Sequence, residues 1–262
     1  MAVPTPDRND RSVPSVRGAR MAWGRTILRT LPMILLAALF ALGGCATSST
    51  DRSKEAELFY QMGVSYFNEG QVQAAYVQLQ KALQIEPKDK GILNSIGLVH
   101  LALEEYGEAA EFFERAVALD PGFSDGFNNL GVSYMKLKRW EDAMIAFRKA
   151  LSNPLYQTPE RAYYNLGMCL YRSGEYEQAV TAFRNAARRA PLFPLPYYGL
   201  ALSFNKMGRY GDASLAMAKA LEADPSYKGD RKKFVEEMKQ KLLSLDAEDE
   251  ADLRDYLEIV KY

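Results

Sequence analysis

Residues 94–121 read NSIGLVHLALEEYGEAAEFFERAVALDP, and residues 128–154 read NNLGVSYMKLKRWEDAMIAFRKALSNP. Laid one over the other, the two stretches place Gly97 on Gly131, Ala109 on Ala143, Phe113 on Phe147 and Ala116 on Ala150, each 34 residues apart. The register runs outward in both directions. Gly63, Gly97, Gly131, Gly167 and Ala201 form one column, with steps of 34, 34, 36 and 34 residues. Ala75, Ala109, Ala143, Ala179 and Ala213 form a second, and Ala82, Ala116, Ala150, Ala186 and Ala220 a third. Pro87, Pro121, Pro191 and Pro225 close four of the units, and Pro154 closes the remaining one a place early. A fixed period of this length, with small residues in fixed columns, specifies a stack of helix pairs, none of which buries its apolar face alone. The fold class expected is therefore an all-α solenoid.

Within a unit the pattern reads as helix, tight turn, helix, turn. In the second unit Leu93, Ile96, Gly97 and His100 share one helical face. The turn falls near Glu105, and the second helix carries Tyr106, Ala109, Phe113 and Ala116. Asp120-Pro121 ends it, because proline cannot continue a helix and biases its predecessor away from helical geometry. The Gly63 and Ala75 columns are expected to be small because the two helices of a unit cross there. The column of Leu79, Phe113, Phe147, Phe183 and Met217 is expected to fill the space between neighbouring units. His100 shares a column with Tyr66, Tyr134, Leu170 and Phe204, so it reads as a core stand-in for an aromatic ring.

These columns resemble the tetratricopeptide repeat (TPR), whose pattern has a small residue at the eighth place, alanines at the twentieth and twenty-seventh, an aromatic at the twenty-fourth and proline at the thirty-second. The resemblance covers five units, 56–89, 90–123, 124–157, 160–193 and 194–227, with mild departures at Ala201 and Met217. It implies a right-handed superhelical solenoid of helix pairs. Beyond Pro225 two further helices are expected, either as C-terminal capping helices or as a degenerate sixth repeat over 228–262. The second reading is favoured because Val235 falls 34 residues after Ala201.

Residues 1–44 read as a targeting segment rather than as fold. Six Arg, no Lys and two Asp give them a net charge of +4, which leaves −4 on the rest of a chain that is neutral overall. Arg17, Arg20, Arg25 and Arg29 precede an apolar run from Leu31 to Leu42 that is too short for a comfortable membrane span. The run ends in Leu42-Gly43-Gly44-Cys45, which resembles a bacterial lipobox. The resemblance implies a lipoprotein signal peptide over 1–44, acylation of Cys45 and a membrane anchor there, whether translation starts at Met1 or Met21. Residues 45–54 are expected to hold the lipidated cysteine and a flexible tether. In the family rule an Asp after the cysteine retains the lipoprotein in the inner membrane. Ala46 stands there instead, so the implied location is the periplasmic face of the outer membrane. Cys169, in an apolar stretch, reads as a buried small hydrophobe.

In the TPR fold the first helix of each unit forms the concave wall. The residues expected to line a peptide-binding groove are Tyr60, Val64, Phe67, Asn94, Leu98, Asn128, Tyr164, Met168, Tyr171 and Tyr198. Leu101, Val132 and Met135 fall at matching places, and Lys136, Arg172 and Lys206 add positive charge to the later half. Tyrosine is a low-entropy interface anchor, and an amide can both donate to and accept from a bound backbone. The basic residues that clamp a C-terminal carboxylate in some TPR proteins are absent from the fifth place of these units.

The function classes left are narrow. No clustered basic face suggests a nucleic-acid partner. His100 is the only histidine and no CxxC occurs, so a zinc site of the usual kind is not expected. No nucleophile–base set or phosphate loop points to an enzyme, a cofactor or a small-molecule substrate. An acylated cysteine followed by TPR units is similar to the type IV pilus pilotins (the PilF, PilW and Tgl type). In that family a TPR lipoprotein helps the secretin subunit reach the outer membrane and assemble. The expected partner is therefore a protein in the groove, with the secretin subunit first. The alternatives are the outer-membrane β-barrel assembly machinery and a scaffold for peptidoglycan enzymes.

Overall fold

The computed structural model describes residues 50–243 and 247–262, with no side-chain description for 247–249. The expected signal peptide and Cys45 lie outside the described residues. The helices are α1 (50–68), α2 (Val72–Ile85), α3 (Lys90–Ala102), α4 (Tyr106–Leu119), α5 (Ser124–Lys136) and α6 (Trp140–Leu151). They continue with α7 (Pro159–Arg172), α8 (Tyr176–Arg189), α9 (Leu195–Lys206), α10 (Tyr210–Ala223), α11 (Arg231–Lys241) and α12 (Ala247–Ile259). No strand occurs among the described residues. Residues 50–53, expected in the tether, belong to α1.

The first helix of each unit ends by the same device. The backbone N–H of Gln71, Glu105, Arg139, Glu175 and Arg209 donates back to the carbonyl of Tyr66, His100, Tyr134, Leu170 and Phe204, at 2.8–2.9 Å. The residue just before each donor takes a left-handed conformation, at Gly70, Glu104, Lys138, Gly174 and Gly208. This is the Schellman ending of a helix. Three units use glycine, which has no Cβ to strain the turn. Three of the five second helices end on side-chain turns. Asp120 and Asp224 accept from the N–H two residues on, and Asn153 does the same one place early, ahead of Pro154.

The core is a column of rings on glycines. Phe113, Phe147 and Phe183 are fully buried, and all ten alanines of the two alanine columns are at 0% exposure. A Cβ added at Gly97, Gly131 or Gly167 would sit 2.6 Å from Phe113, Phe147 or Phe183 of the same unit. The small column therefore makes room for the ring of its own unit, rather than for a close crossing of two backbones. Phe183 also reaches the next unit, where a Cβ at Gly199 would lie 2.4 Å from its ring. Cys169 is buried, and burial pushes its thiol up to about 12.

Successive first helices touch each other, α3 with α5, α5 with α7 and α7 with α9, and no pair of second helices packs comparably. The first helices therefore lie on the inside of the curve. The last two helices leave the pattern. In a regular sixth unit α11 would lie on α9 and α10, as α9 lies on α7 and α8. Instead α12 packs against α9 and α10, and α11 packs against α12. The two form a cap that turns back towards the inner wall.

Candidate protein-binding wall

The inner wall has two unlike halves. In the first, α1 presents Tyr60, Val64 and Phe67, α3 presents Asn94, Leu98 and Leu101, and α5 presents Asn128, Val132 and Met135, all half-buried. The asparagines form a ladder between units. Asn129 Nδ2 donates to Asn94 Oδ1 at 3.0 Å, and Asn165 Nδ2 to Asn128 Oδ1 at 3.4 Å. Each ladder bond uses the carbonyl of the wall asparagine and leaves its Nδ2 group for a bound chain. This half of the wall is apolar, with donors at intervals of one unit.

The second half is covered by the chain itself. Tyr171 and Tyr198 are buried, while Tyr164 and Met168 are half-buried beneath the two C-terminal helices. Asp252 of α12 accepts from the Tyr171 hydroxyl at 3.1 Å and from Arg172 at 3.1 and 2.7 Å. Asp255 accepts from Asn205 at 3.3 Å and pairs with Lys206 at 2.5 Å. Tyr198 stacks on Phe234 of α11 at 6.0 Å, meets Tyr256 of α12 edge-on at 5.6 Å, and donates its hydroxyl to Asp224. An open pocket of about 280 Å³ remains between the cap and the wall, lined by Tyr164, Tyr198, Phe234 and Tyr256 among others. Of the ten expected groove residues, Tyr164, Met168, Tyr171 and Tyr198 are thus engaged by the chain's own cap. The other six stay open on the wall.

His100 sits where its column placed it. It is 8% exposed, stacks on Phe112 at 5.2 Å, meets Tyr76 edge-on, and holds Glu105 through Nδ1 at 2.6 Å. Among the described residues, no cluster of three or more His, Cys, Asp or Glu could hold a metal ion. No helix among them is long and apolar enough to cross a membrane.

Sequence comparison accounts for this architecture. Profiles of the tetratricopeptide repeat match residues 60–122, 96–161, 160–193 and 196–227. The chain belongs to the tetratricopeptide-repeat family. Type IV pilus assembly protein PilF of Pseudomonas aeruginosa is 29% identical over 160 residues, which are 57% of this chain and 64% of PilF. The match thus spans less than two thirds of that relative's length. The crystal structure of PilW, a type IV pilus biogenesis factor, superposes with a TM-score of 0.63 at 22% identity, over 79% of this chain and 98% of PilW. The P. aeruginosa PilF structure gives 0.64 at 21% identity, over 80% of this chain and 90% of PilF. The fold is thus a right-handed superhelical TPR solenoid with C-terminal capping helices.

The tyrosines of the TPR stack carry a pH dependence. Burial pushes Tyr164 up to about 12. Burial, followed by a hydrogen bond to Glu114, does the same to Tyr134. Tyr171 and Tyr198 rise further, by burial and then by the nearby Asp252 and Asp224. An unfolded tyrosine titrates near 10. A folded pKa above the unfolded one gives stability that is complete below about pH 10 and is lost as pH rises through the folded pKa values. The melting temperature is therefore expected to hold up to about pH 10 and to fall steeply between about 10 and 12, while the tyrosinate absorbance of these buried rings rises. Ionisation of the full set of tyrosines by about pH 10 with no loss of helix would contradict this burial.

Proposed function

We propose that this TPR chain is a non-enzymatic, lipid-anchored binding protein of type IV pilus biogenesis, assisting outer-membrane localisation and assembly of the secretin. Acyl chains on Cys45 hold it at the periplasmic face of the outer membrane. Several chains at about 0.8 kcal/mol per buried methylene give stable anchoring where one would be marginal. The wall of α1, α3 and α5 holds a segment of an unassembled subunit, which keeps its strand edges from pairing wrongly. The observation that carries the binding reading is the apolar set Val64, Phe67, Leu98, Leu101, Val132 and Met135, only partly buried across three consecutive units. Such a surface points to a protein partner. The likeness to PilF supports the pilus assignment, and the Leu42–Cys45 lipobox supports the anchor.

Leu98→Glu with Val132→Glu tests the wall. Both side chains are half-buried, so the carboxylates reach water and helical content is expected to hold. Affinity for the periplasmic region of the secretin is expected to fall by about tenfold or more, equivalent to about 1.4 kcal/mol. Unchanged affinity would move the interface off the wall. Cys45→Ala in cells is expected to leave the fold intact and to stop secretin multimers from forming in the outer membrane. Normal multimers in that strain would remove the anchor from the mechanism.

A further inference from the structure

The cap shows what kind of segment the covered half of the wall receives. Asp252 and Asp255 are three residues apart on α12, and Tyr256 is four from Asp252, so the three share a helical face. The wall answers in matching order. Arg172 ends α7, Lys206 ends α9, and Tyr171 and Tyr198 form the floor. We infer that the inner wall of units four and five is a receptor for an acidic helix with the spacing Asp-x-x-Asp-Tyr. In this reading α12 is the resident occupant, and a partner protein bearing such a helix takes its place.

Three features carry the inference beyond a simple cap. First, the ion pairs are long-range. Arg172 meets a carboxylate 80 residues away, whereas Arg139, Arg209, Arg254 and Lys261 pair within three or four residues. The wall cations are matched to a separate helix rather than to their own. Second, α12 fits incompletely. The open pocket of about 280 Å³ beside Tyr256 is lined largely by apolar side chains, so there is room there for a larger side chain. A partner helix with a larger side chain there makes contacts that α12 lacks. Third, the row of cations continues. Lys136 occupies the same place in unit three, is exposed, and makes no ion pair among the described residues. A longer acidic helix meets a third cation of the same row. These gains are what a partner needs in order to displace a tethered competitor, whose effective concentration is of order millimolar.

The test uses the full chain and a fluorescent peptide of unrelated sequence that keeps only the Asp-x-x-Asp-Tyr spacing. Fluorescence anisotropy is expected to show binding at least about tenfold tighter to the Asp252→Asn, Asp255→Asn chain than to the unaltered chain, because weakening the resident helix raises the competent fraction. Adding Arg172→Glu and Lys206→Glu to that chain is expected to abolish binding, and so is a peptide with both Asp replaced by Lys. Equal affinity for all three chains would overturn the inference. So would absence of binding to the Asn variant while its circular dichroism stays native. If the Asn variant does not fold, hydrogen exchange on the unaltered chain decides. Saturating peptide is expected to speed exchange in α12 and leave α3–α6 unchanged, and unchanged protection of α12 overturns the proposal.

Discussion

Phe147→Ala is expected to lower the stability of the TPR stack by about 3–5 kcal/mol, the usual cost of removing a buried ring whose surroundings collapse only partly. Phe147 is fully buried, and its ring lies against the open face of Gly131, where a Cβ would stand 2.6 Å away. No side chain opposite can swing in to fill the space, because the opposing residue has none. The unit also sits in the middle of the array. In a solenoid, stability is a sum over units and the interfaces between neighbours, so weakening a central unit weakens two interfaces. Unit five supplies a control. There the register pairs Ala201 with Met217 in place of glycine with phenylalanine, and both are buried. Methionine is flexible enough to accommodate the extra methyl. Gly131→Ala alone is therefore expected to cost about 1–3 kcal/mol through overpacking. Gly131→Ala with Phe147→Met is expected to cost less than the sum of the two single changes, since residues in contact are not additive. Urea unfolding followed by circular dichroism measures all four corners of the cycle. A loss under about 1 kcal/mol for Phe147→Ala would mean that the ring column does not hold the stack.

The five units were legible because their physics repeats. A glycine that faces a ring recurs wherever the ring recurs, so the period shows in the letters themselves. The reason for the small column was less legible, since a close backbone crossing and a ring on a glycine leave the same trace in sequence. Turn conformation was legible in only three units. Gly70, Gly174 and Gly208 signal a left-handed residue, while Glu104 and Lys138 adopt the same conformation with nothing in the letters to mark it. The C-terminal region was the hardest to read. Helical periodicity identifies α11 and α12, but the spacing that aligned Val235 with Ala201 favoured a sixth repeat. What places α12 is a set of pairs such as Asp252 with Arg172 and Asp255 with Lys206, which join distant residues and occur once each. A contact made once leaves no period. Six wall residues could therefore be read from the fold alone, and the four beneath the cap could be read only in part.

This division changes what a wall tyrosine does. Tyr198→Ala is expected to destabilise the chain by about 3–5 kcal/mol, the range for loss of a buried aromatic ring. The residue is 8% exposed and its ring touches both capping helices, Phe234 on one and Tyr256 on the other. Removing it takes away the floor on which α11 and α12 rest. Tyr198→Phe is expected to cost only about 1 kcal/mol. It keeps the ring and loses one hydrogen bond to Asp224, whose carboxylate still accepts from the Ser226 N–H. Tyr60, at the uncovered end of the wall, is only half-buried, so Tyr60→Ala is expected to cost clearly less than Tyr198→Ala. Thermal unfolding of the three variants separates a tyrosine that holds the cap in place from one on the uncovered wall. If Tyr198→Ala melted like the unaltered chain, the cap would not depend on this ring. The wall of unit five would then be open to a partner in solution, and the acidic helix seated on it would be dispensable to the fold.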